Sequence, residues 1–304
     1  SAWAMQLSNC PVAKHTWRVT RLDERGVPAL GAMFLGGLTI ALWFGMSYGL
    51  AAADAFFRGT VLADGLARVQ QSLSLSTLVQ FMAMGMVLAV GLRWFQPELT
   101  PADALSLAPV RLRLLTMCVV LGLCLQFPLT ELANVLHHRV FGPDPLEHQL
   151  AVQRLLEAHS GLEGMVVVTC LVAIVPLTEE LLFRGLFYFG LSRRYGHGIG
   201  LIGSAVLFGL AHVNAVAIVY ATVAGLVLGQ VAARTRSVWP GVALHAGVNG
   251  LPLLLPESLI PIRGFNVPTE APSHLEAWLV WPPLALACLA FYGVFALSRG
   301  ATDD

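Results

Sequence analysis

The sequence predicts an all-α polytopic membrane protein of about eight transmembrane helices, with broken or tilted core helices. Three observations predict it. Of 304 residues, 56% are hydrophobic and only 12% are charged, where an ordinary soluble domain is about 25% charged. The apolar residues fall in runs long enough for a bilayer core, which needs about 20 residues per helix. The basic residues alternate from one gap between runs to the next. A globule of this size exposes too much of its area to hide such an apolar excess, so a soluble enzyme is excluded. The same excess excludes a disordered chain. The 18 basic and 18 acidic residues cancel, without the basic footprint that nucleic acid requires.

Behind a tail of residues 1–28, Ala29–Ala53 is free of charge and, with no cleavage pattern near it, reads as an uncleaved first span. Val69–Leu92 is also charge-free and rich in Met; Leu114–Thr130 makes a tight third span. Gly164–Ser192 is long and contains Glu179, Glu180 and Arg184. Ile199–Asn214 and Ala215–Ala233 follow with almost no loop between them, then Val238–Leu255 and the charge-free Ala277–Ser298. Residues 29–298 thus form one transmembrane domain, followed by a short tail at 299–304. Pro176 and Pro240 are expected to break or bend their helices. The longest gap, residues 131–163, places Leu150, Val152, Leu155 and Leu156 among charges and reads as an interfacial amphipathic helix. The five cysteines show no pairing pattern and read as small buried hydrophobes.

Alternate gaps, starting with the N-terminal tail, hold 12 basic and six acidic residues; the others hold five basic and ten acidic. The positive-inside rule then places both termini in the cytoplasm and residues 131–163 outside. Lys14 is the one lysine among 18 basic residues, an arginine bias that suits a high-GC bacterium and its inner membrane.

An intramembrane charge is costly and marks a site by default. Glu180 and Arg184 are i and i+4 and can pair. Glu179 points about 100° away and is left free. Phe208 and His212 share a helix face, as do His245 and Asn249. Each pair alone is also compatible with a polar helix contact. Together they offer a free carboxylate, two imidazoles and an amide in three apolar helices. That set supports peptide hydrolysis. Glu179 can take a proton from water, His212 can orient that water, and His245 with Asn249 can donate to a developing oxyanion. Glu180 and Arg184 would hold the helix. Glu179, His212 and His245 also match the ligand types of a catalytic zinc site, so zinc is the alternative to a cofactor-free site. ATPase and serine-hydrolase motifs do not occur.

At these residues the sequence resembles the CAAX-protease and bacteriocin-processing (CPBP, or Abi) family. The resemblance rests on Glu179-Glu180-Leu-Leu-Phe-Arg184, Phe208-Gly-Leu-Ala-His212 and His245-Ala-Gly-Val-Asn249, in that order, and covers about residues 164–255. It implies an eight-helix intramembrane endopeptidase acting on a membrane-associated protein or peptide. It implies Glu179 and His212 as the water-activating pair and His245 and Asn249 as the oxyanion site. It also implies a glutamate-dependent, metal-free reaction, as understood for an archaeal relative. A non-proteolytic binding, immunity or scaffold protein of the same fold is the competing expectation. A transporter fits less well, since no repeated half is visible. Oligomeric state is not encoded in these patterns.

Overall fold

A computed structural model describes residues 26–157, 161–271 and 273–299. The expected N-terminal tail up to residue 25, with Cys10 and Lys14, and the C-terminal tail from residue 300 lie outside the described residues. Eleven helices account for the described fold: α1 (Ala29–Arg58), α2 (Leu62–Gln71), α3 (Leu73–Phe95), α4 (Pro101–Ala104), α5 (Leu112–Leu136), α6 (Leu146–Leu156), α7 (Gly161–Tyr195), α8 (His197–Leu210), α9 (Ala215–Thr235), α10 (Trp239–Leu254) and α11 (Ala277–Arg299). No sheet forms among the described residues; an isolated bridge pairs Arg263 with Val267.

The chain is an integral membrane protein: among the described residues six helices are long and apolar enough to cross a bilayer, α1, α3, α5, α7, α9 and α11. The two remaining expected spans are helices of 14 and 16 residues, α8 and α10. At 1.5 Å per residue they reach about 21 and 24 Å, short of a core of about 30 Å. The expected boundary at Asn214 moves to Leu210, because Asn214 leaves the helix to cap α9, its Oδ1 accepting from the amides of Val216 and Ala217. The second span starts at Leu73 and not at Val69. Ser72 separates it from α2 and caps it with a 3.4 Å bond from Leu75 N.

Residues 131–141, expected in the interfacial gap, continue α5 and end in a wide π turn at His137–Phe141. Gly142, at φ 79°, then turns the chain. Within the segment expected to be interfacial, Leu146–Leu156 form α6. Its Gln149 reads both backbone groups of Thr269, accepting from the N–H at 3.0 Å and donating to the carbonyl at 3.0 Å. Glu131 accepts from Leu275 N and bonds His274, and Asn134 donates to Gly264 O, so the 255–276 segment is pinned to this end.

The expected break at Pro176 does not occur: α7 is continuous over 35 residues. It widens to π geometry at Thr169–Ile174 and at Leu181–Tyr188, on either side of the two glutamates. The Pro176 ring would press on the carbonyl of Val172, and the first wide stretch, which contains Val172, absorbs that conflict. Pro240 falls in the first turn of α10, where no amide hydrogen is needed, so it starts a helix without bending one.

Helix α7 is the axis of the bundle. Leu182, Phe183, Leu186 and Phe187 pack with Leu35, Val87, Leu121, Leu228 and Leu244 from the surrounding helices. Helices α5 and α10 cross in contact at glycines: a Cβ on Gly122 would lie 2.0 Å from Leu244 O, and one on Gly247 would lie 2.5 Å from Val119 O. The start of α1 is tied to the end of α7 by Val27 N to Gly190 O at 3.0 Å and Ala29 N to the Tyr195 hydroxyl at 3.1 Å. At the same end Arg193 donates to the carbonyls of Asp103 and Ala104, and Trp239 Nε1 to Leu107 O.

Candidate active site

The two glutamates sit near the middle of α7, and the helix sends them apart as their spacing predicts. Glu180 and Arg184 are fully buried. Arg184 Nη1 lies 3.1 Å from Glu180 Oε1, an ion pair without the alignment of a full hydrogen bond. The guanidinium also stacks over the Phe208 ring, 4.3 Å from its centroid. Glu180 Oε2 packs on α10 at Gly241, where a Cβ would come within 2.6 Å of it.

Glu180 does more than hold Arg184. Its Oε1 is also 3.2 Å from His245 Nδ1. A carboxylate oxygen paired with arginine accepts only, so Nδ1 carries the hydrogen and Nε2 faces the other way. There it lies 3.7 Å from Glu179 Oε2. His245 therefore stands between the two carboxylates.

His212 sits just past the end of α8, on a turn and not in the helix. Its Nδ1 bonds Phe208 O at 2.9 Å, which leaves Nε2 as an acceptor. Its ring meets the edge of Phe208 at 5.0 Å between centroids, and His245 meets the same ring at 5.8 Å. Phe208 thus spaces both imidazoles and the buried arginine. Val213, the next residue, has φ 63°, a left-handed conformation that is an outlier for a β-branched side chain.

Asn249 departs from expectation. Its Nδ2 donates to Leu171 O at 3.0 Å, within the first wide stretch of α7. A π turn displaces carbonyls from the α-helical ladder, and Asn249 captures one of them. That bond occupies one of the two Asn249 amide hydrogens.

Glu179 and His212 share a cavity of about 220 Å³, lined also by Thr39, Ile40 and Trp43 of α1 and by Gln80, Ala83 and Met84 of α3. Gln80 donates from Nε2 to Glu179 Oε1 at 2.7 Å. Gln80 and Trp43 are the functional candidates that motif reasoning did not reach. An amide deep within the apolar run of α3, which contains no other, was the available signal for Gln80. Among the described residues no three His, Cys, Asp or Glu side chains are grouped as a metal ion would require.

Fold and site together define a polytopic all-α membrane protein with a buried acid–histidine cluster beside an intrabundle cavity. Residues 161–251 match the family described as "Type II CAAX prenyl endopeptidase Rce1-like", which assigns this motif-bearing region to the CAAX-protease family. The chain is also 24% identical over 113 residues to a Bacillus subtilis (strain 168) protein named "Putative membrane peptidase YdiL". That similarity covers 37% of this chain and 45% of the relative, so the chain spans less than half the length of the relative it matches. No solved structure matches.

Proposed function

We propose that the chain is an intramembrane endopeptidase that hydrolyses a peptide bond in a membrane-associated protein or peptide. The observation that carries this reading is that Glu179 and His212, from two separate motifs, line one cavity. Each presents an acceptor: a carboxylate oxygen and His212 Nε2. A water that gives one hydrogen to each has its oxygen lone pair turned outward, toward a bound carbonyl carbon. Glu179 takes the proton as the new C–O bond forms, and the proton passes to the amine nitrogen as the C–N bond breaks. Charge develops on the carbonyl oxygen. His245 donates to it from Nε2 as the doubly protonated ring, whose charge the flanking carboxylates balance. Asn249 contributes its second amide hydrogen, the first being held by Leu171 O. Glu180 and Arg184 hold His245 and α7 in place.

We propose that the reaction needs no tightly bound metal, since two acceptors suffice to hold and deprotonate the water. Elemental analysis of active protein should find well under one zinc per chain, and strong chelators should leave turnover intact. Stoichiometric zinc, with activity lost on its removal and restored on its return, would move the mechanism to the zinc alternative.

We further propose eight membrane segments in a bacterial inner membrane, with both termini cytoplasmic. The meeting of residues 103–108 with Arg193 and Trp239 at one end, and of 131–149 with 264–275 at the other, supports the alternation. Single cysteines at Glu98 and His148, in a background lacking the native ones, should label from opposite faces. Labelling from the same face would overturn the orientation.

The deciding experiment compares new peptide termini in membranes carrying the wild-type chain and the Glu179→Ala form. Termini made only by the wild type establish the protease and name its substrate. Identical termini, with a partner protein bound equally by both forms, favour the scaffold reading.

A further inference from the structure

We infer that Gln80, on α3, is a positioning residue for Glu179, fixing the carboxylate that the proposed hydrolysis uses as its base. The inference rests on that reading of the site. Gln80 lies outside residues 161–251 and outside all three motifs. Its Nε2 nevertheless lies 2.7 Å from Glu179 Oε1, across 99 residues of sequence.

The bond matters because of what else touches Glu179. The carboxylate is almost fully buried. Its other neighbour, His245 Nε2, is 3.7 Å from Oε2, beyond a hydrogen bond. The terminal torsion of a glutamate is broad and two-fold, so packing alone leaves the oxygens free to rotate. The direct hydrogen bond from Gln80 selects one orientation. It leaves Oε2 toward His245 and holds Oε1 by a neutral donor that adds no charge of its own. The partner assigns the amide: only the nitrogen end of Gln80 can face a carboxylate oxygen at this distance. Gln80 Nε2 also lies 3.9 Å from Met84 Sδ, one turn along α3, a contact that keeps the side chain along the cavity wall.

A glutamine in an apolar helix can equally serve as helix-to-helix glue. The two roles separate by experiment. Gln80→Met keeps the chain length and removes the donor. Gln80→Asn keeps the amide but withdraws it by one methylene, and serves if the first variant folds poorly. A misaligned base should lower kcat by about 10–100-fold with KM within about twofold. Glue alone would lower the melting temperature and leave kcat per folded molecule unchanged. A second readout does not use activity. In a cycle of Gln80→Met and Glu179→Leu, the two changes in melting temperature should be clearly non-additive, because Gln80→Met matters less once the carboxylate is gone.

Additive effects, an unchanged kcat, or a change confined to KM would each overturn the inference. The site reading has its own control: wild-type cleavage that survives Glu179→Gln, or wild type that cleaves nothing, defeats that reading whatever Gln80 does. Cleavage lost in Glu179→Gln and unaffected in both Gln80 variants defeats the positioning role alone.

Discussion

Helix α7, which carries both glutamates, is 44% buried within the protein over its most apolar window; α1 is 22% and α3 is 33% buried over theirs. Both regions nevertheless face the same cavity. From α7 and the turn after α8 come Glu179 and His212, the groups proposed to react. From α1 and α3 come Thr39, Ile40, Trp43, Gln80 and Met84. The first region places chemistry by residue identity at fixed helical spacing. The second supplies walls, shape and one hydrogen bond. The comparison teaches that a site of this kind is built half from groups that must be one residue type and half from surfaces that need only fit.

The largest expected effect tests the first half, at two adjacent residues. Glu179→Gln should lower kcat by about 10²–10⁴-fold, the usual range for a lost proton acceptor. The melting temperature should stay close to wild type, because the amide can still pair with Gln80. Glu180→Gln should do the reverse, leaving the fully buried Arg184 without a counter-charge. Breaking such a pair costs about 3–5 kcal/mol, so folded yield and melting temperature should fall together with activity. If the two variants behave alike in turnover and in melting, the division of labour between the glutamates is wrong.

Much of this was legible in the sequence, and the reason is periodicity. An i,i+4 interval fixes a shared helix face wherever the helix goes, so the Glu180–Arg184 pair follows from counting, whereas Phe208 and His212 meet although His212 lies on the turn past the end of α8. What counting could not supply is anything set by another helix. That Glu180 also holds His245 depends on how α10 crosses α7. That Asn249 turns to Leu171 O depends on the π stretch at Thr169–Ile174, which no residue type announces. Pro176 does not interrupt α7 for the same reason, since the wide stretch that contains Val172 accommodates its ring. Gln80 and Trp43 carry no spacing pattern; an amide in an apolar helix marks Gln80, and the assembled cavity alone selects Trp43.

A second prediction tests the crossing that brings His245 to Glu180. Gly122→Ala adds one methyl where α5 meets the backbone of α10, 2.0 Å from Leu244 O. Backbone cannot yield as a side chain tip does, so the helices must separate. Overpacking of this kind costs about 1–3 kcal/mol. The melting temperature should drop, and kcat should drop with it although no motif residue has changed. Stability lost with kcat retained per folded molecule would show that the crossing supports the fold and not the geometry of His245.

The wall of the cavity should respond differently. Trp43→Ala enlarges the site on the α1 side without touching Glu179 or His212. Removing uniform binding surface raises KM and leaves kcat nearly alone. We expect KM to rise about tenfold, in the range of apolar pocket discrimination, with kcat within about twofold. Steady-state kinetics on one membrane-anchored peptide would measure both. A fall in kcat with KM constant would mean that Trp43 belongs with the chemistry, and the contrast between the two regions would blur.

The smallest effect concerns the turn that carries His212 between them. Val213 is half-exposed and holds φ 63°, a conformation costing about 1–3 kcal/mol for a residue of this type. The strain persists because Asn214 caps α9 on one side and His212 bonds Phe208 O on the other. Glycine adopts that backbone freely, though it adds unfolded-state entropy of about 0.4–1 kcal/mol that offsets part of the gain. Val213→Gly should therefore raise the melting temperature slightly, by a few degrees at most. It should also lower kcat a few-fold, because a turn that accepts many conformations no longer dictates where His212 Nε2 points. A lower melting temperature would show that the valine side chain itself contributes packing that outweighs the strain. A raised melting temperature with unchanged kcat would show that the hydrogen bond from His212 to Phe208 O fixes the imidazole without help from the turn.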